Sequence, residues 1–189
     1  MSAPPRGALA DDPALAVAGP AILTPMRWWE LAEIQDLERR LFPLDPWTPG
    51  QFWSELARVP ELRWYVVARQ PGDSGAAGEV ADPIIGYAGL NVVGPEADVQ
   101  TVAVAPERQG AGVGRQLVTA LIAAAQHRGA GQLHLEVRAD NLAALRLYRR
   151  LGFTSDGRRR GYYGAGQDAE LMTLRTGSRT ATTEEQAHG

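Results

Sequence analysis

The sequence predicts a single α/β domain built on a mixed β-sheet. Apolar residues alternate or form short runs in some stretches, as strands require, and recur every three or four residues in others, as helices with one buried face require. These stretches follow one another as strand, two helices, three strands, helix, strand, helix and two strands. The chain has 189 residues, 44% of them hydrophobic, which suffices for one core. This order of elements is typical of an α/β fold.

The first part of the chain predicts one strand and two helices. The strand is expected over Ala21–Met26 and the first helix over Trp29–Phe42. A rigid, proline-rich loop follows over residues 43–49, in which Thr48 can cap a second short helix with Pro49 in its first turn. The apolar positions of the two helices are Leu31, Ile34, Leu37 and Leu41, and then Phe52, Trp53 and Leu56.

Six further strands and two longer helices complete the domain. The strands are expected over Trp64–Ala68, Ile84–Val93, Val99–Val104, Leu133–Val137, Phe153–Arg158 and Glu170–Arg175. Gly94–Ala97 is expected to turn the chain between two of them, and Gly152 to end the last helix in a left-handed conformation. Residues 70–83 contain three glycines and lack apolar periodicity, which predicts a flexible hairpin loop.

The two ends of the chain are expected to lie outside a domain of residues 21–175. Residues 1–20 are rich in Ala, Pro, Gly and Asp, which predicts a disordered leader. The leader lacks the basic and apolar regions of a signal peptide. Residues 176–189 are polar and predict a disordered tail. Uninterrupted apolar stretches stay well below eighteen residues, so we expect no membrane contact.

Composition excludes several classes of function. A net charge of −3 and a pI near 5.6 argue against a nucleic-acid-binding protein, which is normally basic. The absence of cysteine excludes disulfides, thiolate metal sites and a cysteine nucleophile, and it agrees with a cytoplasmic location. His127, His134 and His188 do not have metal-ligand spacing, so no metal is predicted.

A glycine-rich turn stands at the centre of the sequence. It reads Gln109-Gly110-Ala111-Gly112-Val113-Gly114, and its glycines allow the backbone to approach a ligand closely. The helix predicted over Val113–His127 begins on this turn, so unpaired N–H groups and the positive end of the helix dipole face the ligand. A phosphate or pyrophosphate is the expected ligand.

Two common nucleotide-binding motifs fit this turn poorly. A dinucleotide-binding motif needs an acidic residue at the tip of the next strand, whereas Glu136 lies in the middle of its strand. A P-loop needs Lys and then Ser or Thr after the last glycine, whereas Arg115 and Gln116 follow Gly114. Both alternatives are therefore weakened.

The turn and its surroundings resemble the acetyl-CoA-binding motif of the GNAT N-acetyltransferase superfamily. The residues that carry this resemblance are Val102-Ala103-Val104, Pro106 and the turn itself. A resemblance to the RimI family within it runs from about Thr24 to Leu174. It rests on Leu135-Glu136-Val137-Arg138-Ala139-Asp140-Asn141, Ala143-Ala144, Leu147-Tyr148, Gly152-Phe153, Arg159, Tyr162-Tyr163 and Asp168-Ala169. Gly110-Ala111 departs from the Arg-Gln or Gly-Arg pairs common there, which weakens side-chain contacts to pyrophosphate but leaves the backbone intact.

The resemblance implies a GNAT fold, with a mixed, mostly antiparallel sheet flanked by helices. It also implies transfer of an acetyl group from acetyl-CoA, without a metal, to the N-terminal alanine of a ribosomal protein, small-subunit protein eighteen. Transfer would be direct, in a ternary complex.

The alternation of the strand around Leu133–Val137 turns Glu136 away from the buried face. Asn141 is a good helix N-cap, and Tyr148 lies two turns later on the same helix face. By resemblance, Glu136 is the general base and Tyr148 the general acid. The residues implied to contact acetyl-CoA are Val102, Ala103, Val104, Gln109, Gly110, Ala111, Gly112, Val113, Gly114, Arg115 and Asn141. Those implied to contact the substrate are Trp47, Tyr162 and Tyr163.

Each role has a structural alternative. Glu136 can be a solvated surface residue, Tyr148 a core residue, and Asn141 only a cap. The two tyrosines and Trp47 can simply pack. Arg158-Arg159-Arg160 can be a solvated charge run or can contact ribosomal RNA or cofactor phosphates.

The acceptor can also differ. A small-molecule amine and a lysine side chain are alternatives, and so is a non-catalytic acyl-CoA-binding module. Retention of Glu136 together with Tyr148 argues against the last. An α-ammonium has a pKa near 8 and a lysine ammonium a pKa near 10.4, so a weaker base is enough to deprotonate the α-ammonium.

Overall fold

The computed structural model describes residues 12–72, 82–164 and 166–177. Within them the strands are β1 (Ile22–Pro25), β2 (Arg63–Arg69), β3 (Ile84–Val93), β4 (Glu96–Val104), β5 (Gln132–Arg138), β6 (Thr154–Arg159) and β7 (Ala169–Arg175). The α-helices are α1 (Leu31–Leu41), α2 (Pro49–Leu56), α3 (Val113–His127) and α4 (Leu142–Arg150). Short 3₁₀ turns occupy Pro13–Ala16, Trp28–Glu30 and Pro106–Arg108. The predicted α/β class is confirmed.

The strands form one sheet in the order β1-β2-β3-β4-β5-β7-β6. All neighbouring strands are antiparallel except β4 and β5, which run parallel, so the prediction of a mixed, mostly antiparallel sheet is confirmed. Thr48 caps α2, because its side chain accepts a hydrogen bond from the Gln51 N–H at 3.3 Å. Strand β4 begins at Glu96, inside the predicted turn, because Gly94 at φ +59° makes that turn tight.

The parallel pairing in the middle of the sheet is short. It joins Glu96 to Gln132, Ala97 to Leu133 and Asp98 to His134, although β4 and β5 both continue beyond these residues. A β-bulge in β4, where the register with β3 shifts beside Gly89, lies just beyond the last pair. The two strands therefore separate, and a cleft opens between them.

Two clusters of apolar side chains pack on opposite faces of the sheet. One contains Leu117 and Leu121 of α3 together with Val66 of β2. The other contains Ile34 of α1 and Phe52 of α2. Neighbouring β2 residues alternate between the clusters, as strand geometry requires. Helix α3 therefore covers one face of the sheet, and α1 and α2 cover the other.

The predicted disordered leader of residues 1–20 is wrong for residues 12–20. Asp12 is buried, and its carboxylate accepts hydrogen bonds from the Trp64 indole at 2.9 Å and from Arg128 at 3.1 Å. Ala14 is fully buried, and the Gln116 side chain binds the backbone of Val17 and Ala21. These contacts fasten the segment to α3 and β2. Residues 1–11 lie outside the described ranges.

The other predicted irregular segments are described only in part. Residues 73–81 of the expected hairpin loop and residues 178–189 of the expected tail lie outside the described ranges. Thr176, the first tail residue, is buried, and its hydroxyl donates a hydrogen bond to the Ala130 carbonyl. Across the described part of the chain, the helices all fall short of the length and apolarity needed to cross a bilayer.

Candidate active site

A cleft of about 660 Å³ opens where β4 and β5 separate. Strands β4 to β7 and the loop between β6 and β7 all contribute to its wall. The lining residues are Asp98, Val99, Gln100, His134, Leu135, Glu136, Asp156, Tyr162, Tyr163, Leu171, Met172 and Thr173. Glu136 and the tyrosine pair, which the sequence predicted as base and substrate contacts, thus share one cavity.

Glu136 faces this cleft because of the alternation in β5. Its strand neighbours Leu135 and Val137 are buried on the other face, whereas the Glu136 side chain keeps 32% of its surface exposed. Its Oε1 lies 3.3 Å from Nη1 of Arg159. A hydrogen bond to Glu136 is the main cause that raises the pKa of Tyr162. The carboxylate is therefore accessible and fixed by two polar neighbours.

The tyrosine pair forms one side of the cleft. The rings of Tyr162 and Tyr163 meet edge to face with their centroids 5.0 Å apart, and the Arg159 guanidinium lies 4.8 Å from the Tyr162 ring centre. Burial, and then the negative charge of Glu136, raises the pKa of Tyr163. Both phenols therefore stay neutral at physiological pH and can donate hydrogen bonds.

The cleft is negatively charged. Three carboxylates line it, from Asp98, Glu136 and Asp156, and the lining residues include no lysine or arginine. Arg159, just outside the lining, pairs with Glu136. A cleft with one sign of charge concentrates ligands of the opposite sign, so this one favours an ammonium group.

Tyr148 is not among the residues that line this cleft. It is buried in α4 and packs edge to face on Phe153 at 5.7 Å. Burial, followed by the nearby Tyr163, raises the pKa of Tyr148 to about 12. The phenol therefore carries its proton throughout the physiological pH range.

Both ends of α4 are capped, which fixes Tyr148. The Asn141 side chain accepts a hydrogen bond from the Ala144 N–H at 3.1 Å, so its predicted capping role is confirmed. At the other end Gly152 adopts φ +95°, and its N–H donates to Arg149 while the Phe153 N–H donates to the Tyr148 carbonyl. This double hydrogen bond is a Schellman motif, and the left-handed conformation predicted for Gly152 is confirmed.

The glycine-rich turn connects β4 to α3. Gly110 and Gly112 adopt φ of +79° and +91°, which L side chains rarely adopt. Gly112 is the N-cap of α3, and no side chain of the described residues caps the helix. The N–H groups of the first turn, from Val113 to Arg115, are therefore available to an anion.

Val102, Ala103 and Val104 lie on β4 beyond its last pair with β5. They pair with β3 on one side only, so the other edge of this backbone faces the gap between β4 and β5. The Gln109 side chain donates a hydrogen bond to the Val104 carbonyl at 3.2 Å, which ties the turn to the strand. This edge has the geometry to pair with an extended ligand, and the start of α3 has the free N–H groups to hold an anion.

One predicted substrate residue lies elsewhere. Trp47 is absent from the cleft lining. Its ring packs on Phe52 with the ring centroids 5.3 Å apart, and its backbone N–H donates a hydrogen bond to the Glu38 carboxylate. The sequence reasoning also missed Asp98, His134, Asp156 and Thr173 as lining residues. Strand alternation already places His134, two residues before Glu136, on the same face. Asp156 lies at a β-bulge, which leaves no pattern in the sequence.

A comparison with protein families decides the classification. Residues 28–153 match the model of the acetyltransferase (GNAT) family. The chain belongs to this family. The matched residues of this GNAT acetyltransferase run from the 3₁₀ turn before α1 to Phe153, so they include the glycine-rich turn, Glu136 and Tyr148.

Two curated relatives extend the comparison. The chain is 42% identical to the N-alpha-acetyltransferase RimI of Mycobacterium tuberculosis over 148 residues, which cover 75% of this chain and 84% of the relative. It is 43% identical over 96 residues to the [ribosomal protein bS18]-alanine N-acetyltransferase of Salmonella typhimurium, covering 49% of this chain and 65% of the relative.

Solved structures show the same fold. The ribosomal-protein-S18-alanine N-acetyltransferase of Escherichia coli matches this GNAT domain with a TM-score of 0.70 and 29% identity, covering 88% of this chain and 98% of that one. YncA of Salmonella typhimurium, solved with its cofactor acetyl-CoA, shares the fold with a TM-score of 0.67 and 21% identity, covering 86% and 97%. Among the residues that the model describes, no group of three or more His, Cys, Asp or Glu could hold a metal.

Proposed function

We propose that this enzyme is a RimI-type protein N-terminal α-acetyltransferase. It transfers the acetyl group of acetyl-CoA to the N-terminal alanine of ribosomal protein bS18, directly and within a ternary complex. The observation that carries the proposal is the position of Glu136, exposed in a negatively charged cleft beside Tyr162 and Tyr163. The identity with the two curated relatives supports the substrate class. Such a substrate places the enzyme in the cytoplasm, and neither a nucleic acid nor a membrane takes part.

The residues of the chain fit acetyl-CoA as an extended ligand. The uncapped first turn of α3 and Gly110 to Arg115 would hold its phosphates, with Gln109 anchoring this turn. The free edge of Val102–Val104 would bond its extended arm, and Asn141 would contact it at the start of α4. When bound, acetyl-CoA supplies the reactive thioester.

The two proton transfers belong to residues on either side of that ligand. Glu136 removes a proton from the acceptor ammonium, through water, and so frees the nitrogen lone pair for attack. Tyr148 holds the proton needed by the departing sulfur. A thiol has an ordinary pKa near 8.5, so a phenol at about 12 donates efficiently only where the sulfur is itself desolvated. Because Tyr148 is buried, a sulfur that reaches its hydroxyl would also be removed from water.

The negative cleft supports an α-amine acceptor. An N-terminal ammonium carries one positive charge and hydrogen-bond donors, which suit Asp98, Glu136 and the tyrosine hydroxyls. The substrate roles of Tyr162 and Tyr163 rest on this placement. Trp47 takes part only if the substrate extends from the cleft towards α2.

The test measures coenzyme A release with two peptides that differ only in their amines. One begins with a free alanine and has no lysine, and the other has a blocked N-terminus and an internal lysine. We expect turnover only on the first, and a loss of about 100-fold or more in Glu136→Gln. Turnover on lysine alone would overturn the proposal in favour of a lysine acetyltransferase. Turnover on neither peptide, with acetyl-CoA bound, would overturn it in favour of a small-molecule acceptor or a binding role.

A further inference from the structure

A second titratable side chain lies beside Glu136 in the cleft. His134 precedes Glu136 by two residues on β5, so both side chains stand on the same face of the strand. Both line the cleft, and His134 is only partly buried. Neither the base nor the acid role assigned above uses this imidazole.

His134 is held by a chain of two hydrogen bonds. Its Nδ1 lies 2.7 Å from Oγ1 of Thr173, the residue opposite it on β7, and the Thr173 hydroxyl donates to the Asp156 carboxylate. A threonine hydroxyl has a single hydrogen. Because that hydrogen points to Asp156, Oγ1 must accept from His134, so Nδ1 carries a proton.

The fixed tautomer determines what the other nitrogen can do. With Nδ1 protonated, the neutral imidazole has its lone pair on Nε2. Along the described ranges, Nε2 of His134 has no hydrogen-bond partner in the protein. Asp156 stands at a β-bulge of β6, between Ser155 and Gly157, and bulges commonly redirect side chains next to active sites.

Several titratable groups surround His134 in the cleft. The titratable groups that face it are Asp98, its partner on β4, Glu136 on β5, Asp156 on β6, and Tyr162 and Tyr163 from the loop. Three of these five are carboxylates, and Arg159 pairs with Glu136. An ammonium that approaches His134 therefore meets mainly negative charge.

We propose that His134 is a second proton acceptor for the acceptor amine, oriented by Thr173 and Asp156. This inference rests on the proposed N-terminal acetyltransferase function. An N–H bond of the ammonium breaks, and the proton passes to Nε2 of His134 through water ordered by Glu136. The electron pair stays on the amine nitrogen, which attacks the acetyl carbonyl. The imidazolium then releases its proton to solvent.

General chemistry explains why a second acceptor helps. A free imidazole is about a hundredfold stronger as a base than a carboxylate, given ordinary values of about 6.5 and 4.3. An α-ammonium titrates near 8, so imidazole is the better-matched acceptor at neutral pH. Glu136 thus takes the proton from the ammonium first, through the ordered water, and His134 receives it next.

The experiment compares His134→Gln with His127→Gln, an exposed histidine at the end of α3. With the free-alanine peptide and saturating acetyl-CoA, we expect His134→Gln to lower kcat by about 10- to 100-fold and the control to leave it unchanged. Added imidazole should restore part of the activity of His134→Ala and none of that of Glu136→Ala. Thr173→Val should lower kcat by about 3- to 10-fold and shift the acid side of the kcat profile, because the hydrogen-bond chain to Asp156 is broken.

Three outcomes are informative. The role of His134 alone would be overturned if the wild type acetylates the free α-amine and both His134→Gln and Thr173→Val keep kcat within twofold of wild type from pH 6 to 9. The role would also be overturned if kcat falls in both variants while imidazole gives no rescue and the pH profile is unchanged, because the effect would then be structural. Absence of wild-type turnover on any α-amine would instead overturn the proposed function.

Discussion

Nη1 of Arg159 lies 3.3 Å from Oε1 of Glu136, so the carboxylate on which the proposed reaction depends is paired with a guanidinium. The two side chains remain 53% and 32% exposed. An exposed pair of this kind contributes at most about 1 kcal/mol to stability. Its main effect is therefore on the charge that an incoming ammonium meets.

Arg159→Gln should improve binding of the acceptor peptide. Removal of the guanidinium leaves the cleft more negative, so we expect KM for the peptide to fall by about 2- to 5-fold and the effect to shrink in high salt. Arg158→Gln is the matched control, because Arg158 pairs with Glu170 outside the cleft. Steady-state kinetics at two ionic strengths measure the difference. A rise in KM for Arg159→Gln would mean that Arg159 contacts the peptide directly.

Tyr148→Phe should lower kcat by about 100-fold and leave the fold intact. The new ring keeps the packing on Phe153, and only the proton is lost. Because the raised pKa of Tyr148, about 12, keeps the phenol protonated below pH 10, the ratio of wild-type to variant kcat should be constant from pH 6 to 9. A ratio that changes over this range would contradict the assignment. Acetyl-CoA affinity serves as the control.

Glu38→Gln should flatten the pH dependence of stability. Burial raises the pKa of the Glu38 carboxyl, and a hydrogen bond from the Trp47 backbone N–H opposes this rise. The Tyr87 hydroxyl also donates a hydrogen bond to the carboxyl. A carboxyl with a raised pKa in the folded state stabilises the fold at low pH, and this contribution is lost as pH rises above the unfolded value of 4.5.

Urea unfolding between pH 4.5 and 7 tests this for Glu38→Gln. We expect the wild type to lose more stability over that range than the variant. Glu33→Gln is the control, because Glu33 on the same helix is exposed. Parallel curves for wild type and Glu38→Gln would refute the prediction.

Asp12→Ala should destabilise the protein by about 2–3 kcal/mol. The substitution leaves the Trp64 indole and the Arg128 guanidinium without their shared acceptor in a buried place. Asp36→Ala is the control, because Asp36 and its partner Arg39 are largely exposed, and a change below about 0.5 kcal/mol is expected there. Chemical denaturation of both variants gives the comparison. Equal losses in the two would show that the N-terminal segment contributes nothing to stability.

Local patterns were sufficient to predict most of the fold. The apolar spacing of α3 and the turn residues Gly94 and Gly152 specify their elements without help from distant contacts. The segment from Asp12 to Gly19 was mispredicted because its order depends on Trp64, Arg128 and Gln116, which lie far away in sequence. Asp12 followed by Pro13 was nevertheless a local signal for a capped turn.

The site was predictable where one strand or helix defines it. Strand alternation placed Glu136, and helix capping placed Asn141. The pairing of Arg159 with Glu136 and of Asp156 with Thr173 joins different strands, so it depends on register. A β-bulge changes register without a sequence pattern, and these contacts were therefore missed.

The short pairing of β4 with β5 divides the sheet into two halves that are each continuous in sequence. The first, β1 to β4, is synthesised and leaves the ribosome before any residue of the second. Until β5 arrives, the whole outer edge of β4 is unpaired, and such edges promote aggregation. Even in the finished enzyme, the amides of Val102 and Val104, which point away from β3 to that edge, should exchange with deuterium faster than those of β2 and β3. Ligand binding should slow that exchange.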